Sequence, residues 1–383
     1  MHEHNPFRYG RAADVLVDRD DELQRVLRIA ETSGALFLIG PRRFGKTSIL
    51  KAAEGELDRR RIVVLRYDAE AYENVGLFAA ALLAGAVRKY SSALERAQII
   101  ARRFFASLKP VLTIDPTDGT IRVSLSGSTT PRTEIARLTD VLNGIERLAE
   151  EDGRRALVVF DEFQQVVAYA GEKAERQIRA VVQTHGHVGY VFAGSGTRMM
   201  TEMITSAARA FWQLGDPLYL RPIPRESFIP FLRRGLESTG ARVDDAAIVR
   251  ILDLSEDVPY NVQQLASRCW DHLRDGATRH LTGETVDEIL RHLLSILHEG
   301  YLQRWLSLTL AQKRTFKIVI EEKGKLQLAE VSRRHGIPRT TMQRALQLLE
   351  ARHFLRQDFS RAGHTWRLED PFMAPWLQEL QAQ

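Results

Sequence analysis

Apolar residues recur along this chain in two rhythms. Short uninterrupted runs, Leu36-Phe37-Leu38-Ile39, residues 62–65, Ala156-Leu157-Val158-Val159-Phe160 and Tyr190-Val191-Phe192-Ala193, alternate with stretches where apolar positions return every three or four residues. The runs predict strands buried on both faces, and the longer spacing predicts helices with one buried face. Their alternation over residues 35–220 predicts an α/β sandwich around a mainly parallel sheet. Within it, one long helical stretch is expected at 77–108 and another at 133–151. A β-hairpin turning at Pro116-Thr117-Asp118-Gly119 is expected between them. Ahead of it lies an extended lead-in broken by Pro6 and Gly10, then a helix with Asp18 as N-cap and an acidic first turn.

Beyond Pro224 only the helical rhythm continues, with helices expected at 225–238, 244–255, 259–275 and 282–307. The last segment predicts helices at 309–322, 328–335 and 339–353, with Gly336-Ile337-Pro338 between the last two, and a strand–turn–strand after them. That is a helix-turn-helix with a wing. The expected division is therefore an α/β domain at 1–223, a helical subdomain at 224–306 and a winged helix at 307–383.

At 383 residues the chain exceeds what one core supports. Its apolar share of 44% and charged share of 27% are those of a globular protein. The single Cys269 excludes an internal disulfide, and its helical apolar setting predicts a buried, inert thiol. The opening MHEHNPFRYG has no apolar core like that of a signal peptide, and no apolar run reaches membrane-spanning length, so the expectation is a cytoplasmic protein without membrane partners. The net charge of +5 is unevenly placed: residues 307–383 carry 13 Lys+Arg against 8 Asp+Glu, which accounts for all of it. An acidic partner for that segment follows, nucleic acid first.

The chemistry begins where the first strand ends. Gly40-Pro41-Arg42-Arg43-Phe44-Gly45-Lys46-Thr47-Ser48 fits G-x-x-x-x-G-K-T between a strand and a helix, the setting of a phosphate loop. Gly40 and Gly45 let backbone N–H groups turn toward a triphosphate, Lys46 offers a compact charge to the β/γ oxygens, and Thr47 a hydroxyl to Mg²⁺. The helix start adds partial positive charge. The strand ending at Phe160 delivers Asp161, suited to hold the metal, and Glu162, suited to orient and deprotonate a water. Taken alone, that pair would read as a solvated acidic turn. Ser195, in Gly194-Ser195-Gly196-Thr197-Arg198, is placed to touch the γ-phosphate or the water, with a plain turn as the alternative.

In the winged helix, Arg333, Arg334, Arg339, Arg344, Arg352, Arg356, Arg361 and Arg367 face only Glu350 and Asp358. Recognition helices enter the major groove by their first residues, here Arg339, Thr340, Thr341, Gln343 and Arg344. Arginine pairs with guanine and glutamine with adenine. Arg361 and His364 fall at the wing tip, for phosphate or minor groove. Leu346, Leu348 and Leu349 read as core. The bland alternative is a solvated basic face on a domain that packs against protein.

Asn5-Pro6-Phe7, residues 17–23, GPRRFGKTS, VVFDEFQ, FAGSGTRMM, VPYNVQQL and the winged helix together resemble the prokaryotic archaeal-type AAA+ ATPases of the STAND class, over nearly the whole chain. The resemblance implies a P-loop NTPase fold with the Ser195 strand between the Lys46 and Asp161 strands, and a helical lid at the adenine pocket. It carries Pro259 to the lid's nucleotide contact. The family glycine two positions earlier is Asp257 here. An arginine finger is not singled out among Arg198, Arg209 and Arg221, and self-association stays open.

The first functional reading is an ATP-binding and ATP-hydrolysing switch, Mg²⁺-dependent, that repositions a DNA-binding winged helix. The alternative is a signalling or defence NTPase whose winged helix binds protein. A small-molecule kinase is a third, with no acceptor site in view.

Overall fold

The structure is a computed structural model that describes residues 4–13, 15–91, 94–114, 121–125, 131–276, 278–360 and 363–382. They divide into two bodies, one of residues 19–40 and 46–220, the other of residues 1–18, 41–45 and 221–383.

The first body runs α1 (Asp20–Thr32), β1 (Ala35–Ile39), α2 (Lys46–Arg59), β2 (Val63–Asp68), α3 (Val75–Tyr90), α4 (Leu94–Phe104), β3 (Pro110–Ile114), β4 (Ile121–Leu125), α5 (Pro131–Asp152), β5 (Ala156–Asp161), α6 (Gln164–Ala170), α7 (Glu172–Val182), β6 (Val188–Gly194), α8 (Thr197–Thr205) and β7 (Asp216–Tyr219). Among the described residues five strands form one sheet in the order β2-β5-β6-β1-β7, with parallel pairings throughout. Strand residues alternate between two cores. Phe37, Val158, Phe160, Tyr190 and Phe192 face α3, α5 and α7; Leu36, Leu38, Leu157, Val159 and Val191 face α1 and α2. Burial on both sides explains why these strands are unbroken apolar runs. Register sets Phe37 opposite Phe192, and Phe160 opposite Phe192, so the rings stack across three strands at 5.0 and 5.3 Å.

The second body runs α9 (Arg225–Glu237), β8 (Arg242–Val243), α10 (Asp245–Leu254), α11 (Pro259–Arg274), β9 (His280–Leu281), α12 (Gly283–Leu306), α13 (Leu310–Glu321), α14 (Leu328–His335), α15 (Arg339–Ala351), β10 (Leu355–Ser360), β11 (Gly363–Leu368) and α16 (Met373–Ala382). One hydrophobic cluster runs from Phe228 on α9 through Trp270 on α11 to Phe316, Met342 and Trp376. Cys269 lies buried within it, as expected, and burial pushes its thiol up.

Several local expectations need correction. Asp18 is not an N-cap: it sits at φ 49, outside the extended range a cap needs, and the N-cap position falls on Arg19 without a side-chain cap bond. Asp20, Asp21 and Glu22 supply the negative charge at that helix start instead. The stretch at 77–108 is not one helix, because Ser91 turns extended and closes α3. The helical subdomain contains a two-residue parallel pairing, β8 with β9, too short to leave a pattern. Leu348 is not core; it is 43% exposed on α15. The strands of the 111–125 hairpin pair antiparallel, while its turn at Pro116-Thr117-Asp118-Gly119 lies outside the described residues. Among the described residues, no helix is long and apolar enough to cross a membrane.

Candidate functional site

Adjacent parallel strands end along one edge of a sheet, and ligands of such sheets bind beyond the carboxyl ends. Here β1, β6 and β5 are consecutive neighbours, so the residues after Ile39, Gly194 and Phe160 meet there. Gly40 follows β1 and its N–H donates to the Gly194 carbonyl at 3.3 Å. A Cβ on Gly40 would come 2.8 Å from Cβ of Leu220, so only glycine fits that approach. Lys46 opens α2; only 6% exposed, its Nζ donates to the Gly40 carbonyl at 2.8 Å. Thr47 is exposed on the same first turn, and Ser48 is half-buried.

Asp161 is the last residue of β5, paired in register with Asp68 at the end of β2. Burial pushes its carboxyl up, and the Glu162 charge pushes the same way; Lys46 and Arg66 pull it down and lose. Glu162 is held in the left-handed region at φ 49, a conformation a glutamate keeps only when its surroundings impose it. Those surroundings are visible. Its Oε2 accepts from the Ser195 amide at 3.2 Å, the Ser195 hydroxyl at 2.7 Å and the Gln164 side-chain amide. Burial resists the Glu162 charge, but the Lys46 ammonium and these donors outweigh it and hold the carboxyl below its usual range. Glu162 is thus an ionised, oriented carboxylate at neutral pH. The sheet brings Lys46, Asp161, Glu162 and Ser195 together as the spacing suggests. Ser195 is turned to Glu162. Gln164 is a further member that the sequence reading overlooked, although its place two residues after Glu162 in the same turn was the available signal.

Of the three arginines left open as an arginine finger, Arg209 is committed to the buried Glu175 through Nε at 3.1 Å and through Nη2. Arg198 and Arg221 are exposed.

In the second body, the loop Pro41-Arg42-Arg43-Phe44-Gly45 lies against α11. Gly45 takes φ 94, the freedom expected of that glycine. Arg43 carries a side chain at φ 69, and its carbonyl accepts from the Tyr260 N–H at 3.3 Å, one residue past Pro259 at the first position of α11. Asp257, standing where the resembling family has glycine, adopts φ 56, so the backbone is glycine-like although the residue is not. Its carboxylate takes Arg225 Nε at 2.8 Å. Asn5 is tied to α11 by Nδ2, which donates to Asp271 at 2.9 Å and to Ser267 Oγ at 2.9 Å.

The winged helix behaves differently. Arg339, Thr340, Thr341, Gln343 and Arg344 are all exposed along the start of α15, one continuous face. Other arginines of the basic tally are internally engaged. Arg334 reaches Glu322 at 2.8 Å and Glu330 at 2.6 Å, Arg352 donates to Ser307 Oγ at 2.7 Å, and Arg367 lies 3.8 Å from Glu256. Arg356 is half-buried and donates to the Leu368 carbonyl. Arg361 lies outside the described residues, as does the side chain of His364, whose backbone pairs with Phe359 in the wing.

A family model for an ATPase domain predominantly from Archaea matches residues 16–262. The chain belongs to that family. A second model, the IclR helix-turn-helix domain, matches residues 316–358 of this ATPase. Among solved structures, the Walker-type ATPase PABY2304 of Pyrococcus abyssi is similar over 97% of this chain and 98% of its own, at 16% identity and TM-score 0.62. The Aeropyrum pernix ORC2 protein, solved as ADPNP–ADP complexes, is similar over 100% and 99%, at 13% identity and TM-score 0.56. The Aeropyrum pernix ORC1 protein, solved with DNA, is similar over 96% and 93%, at 14% identity and TM-score 0.51. These likenesses establish a shared fold: a P-loop AAA+ sheet followed by a winged helix. No curated protein sequence matches the chain.

Proposed function

We propose that this ATPase is a Mg²⁺-dependent nucleotide switch whose winged helix binds duplex DNA. The observation that carries the reading is the convergence of one buried ammonium and two unlike carboxylates at neighbouring strand ends. The loop amides and Lys46 bind the β/γ-phosphates. Glu162, ionised and aimed by Ser195 and Gln164, orients the attacking water and takes its proton. The acid pair fits a divalent cation, because Asp161 and Glu162 leave a desolvated surplus of negative charge that Lys46 only partly offsets. Thr47 and Asp161 would hold it, and magnesium when bound supplies charge neutralisation at the phosphate oxygens. The backbone of residues 40–48 supplies the remaining nucleotide contacts.

Support for DNA comes from the exposed start of α15, with Arg339, Thr340, Thr341, Gln343 and Arg344 on one face. The ORC1 relative solved with DNA points the same way. One observation favours the competing reading of a protein-binding winged helix: Arg334, Arg352 and Arg356 are engaged within the domain, which thins the basic face.

The test is ATP turnover by the full chain with and without duplex DNA across a salt series. Duplex-stimulated turnover that fades as salt rises is expected. Glu162→Gln should keep nucleotide binding and cut turnover by about a hundredfold or more. An unchanged rate in that variant removes Glu162 from its role, and turnover indifferent to duplex at every salt concentration favours the protein-binding reading.

A further inference from the structure

Asp370, just past the wing, is a carboxylate of the second body with partners on several elements. Its side chain is 6% exposed, and both oxygens are occupied. Oδ1 accepts from Asn261 Nδ2 on α11 at 2.8 Å and from the Phe372 amide at 3.2 Å. Oδ2 accepts from the Tyr301 hydroxyl on α12 at 2.9 Å and pairs with Arg43 Nη1 at 2.7 Å. Three of these donors come from the helical part and the segment after the wing. The fourth is the phosphate loop itself.

Arg43 has little freedom left. Its guanidinium lies over the Tyr260 ring at 4.7 Å, its carbonyl takes the Tyr260 N–H, and its backbone is held at positive φ. Burial works against the Arg43 charge, yet Asp370 outweighs it and the guanidinium is more firmly protonated than usual. The next residue is clamped as well: Phe44 is 4% exposed, with the guanidinium of Arg356 from β10 at 5.1 Å from its ring. Two consecutive loop residues are thus held by side chains of the winged-helix segment. A non-glycine residue at positive φ persists only where its surroundings over-determine it.

We propose that Asp370 is a positioning residue for the phosphate loop, fixing through Arg43 the backbone that cradles the nucleotide phosphates. The proposal rests on the nucleotide reading above. Its thermodynamic consequence is reciprocal: whatever disturbs the Asp370 corner changes nucleotide affinity, and nucleotide occupancy changes that corner by the same factor.

The test is a double-mutant cycle in the full chain, with Asp370→Asn, Arg43→Gln and the pair, titrated with a fluorescent ATP analogue and magnesium. Each single variant should raise Kd about tenfold, and the double variant no further, because the two act through one contact. Melting temperature without nucleotide is measured alongside. Lower melting temperatures with unchanged Kd would make the pair a structural tie and overturn the proposal. So would additive losses, and so would tighter binding in Asp370→Asn, which would mean that Asp370 competes with phosphate for Arg43. Should Asp370→Asn not fold, Arg43→Gln decides alone, since its loop side chain is partly exposed. A wild-type chain that does not bind the analogue overturns the nucleotide reading itself, whereas variants that bind like wild type overturn only this inference.

Discussion

The sheet edge around Glu162 and the basic face of the winged helix were both conspicuous in the sequence, and folding treats them in opposite ways. At the sheet edge, residues 46, 161, 162 and 195 converge, and their neighbours sharpen their chemistry. In the winged helix, folding subtracts: Arg334, Arg352 and Arg356 are paired within the domain with carboxylates, a hydroxyl and a carbonyl. The difference is one of reach. A residue at a strand end is located by the backbone ladder, so spacing predicts its neighbours. An arginine carries a long flexible stem, and its partner is chosen by whatever acceptor packing leaves nearby.

The strongest way to break this contrast is Lys46→Ala. It removes the ammonium that acts on both Asp161 and Glu162, and nucleotide affinity should fall on the order of a hundredfold by fluorescence titration. Binding near the wild-type level would mean that convergence at the sheet edge carries no ligand chemistry. The winged helix supplies the next largest effect. Arg339→Ala and Arg344→Ala should each weaken duplex binding about tenfold, while Arg334→Ala and Arg352→Ala, already engaged, should change it less than about twofold by fluorescence anisotropy. Equal losses at all four sites would show that the internal pairs open on DNA. The smallest effect is expected from Ser195→Ala, which removes one donor to Glu162: turnover should fall roughly three- to tenfold while nucleotide affinity stays. A drop in affinity instead would return Ser195 to the phosphate.

Much of the architecture could be read directly. The apolar runs at Leu36-Phe37-Leu38-Ile39 and Leu157-Val158-Val159-Phe160 became strands because two-sided burial leaves no polar position in them. The winged-helix elements fell within a few residues of expectation because Gly336 and Pro338 punctuate them. What escaped had no periodic signature. Ser91 breaks the 77–108 helix by a single extended residue, β8 and β9 are two residues long, and Leu348 looks apolar on paper yet faces outward.

The sequence by itself determined the elements and the chemical kit: a glycine-framed loop, a lysine, two adjacent acids, and a basic C-terminal segment. These follow from side-chain type and from spacing along a few residues, which covalent geometry translates directly into place. Only tertiary structure decided that Gln164 and Ser195 share Glu162, that Asp370 holds Arg43 across 327 positions of chain, and which arginines are paired within the winged helix. Contacts between residues so far apart depend on packing of whole elements, which no local pattern encodes.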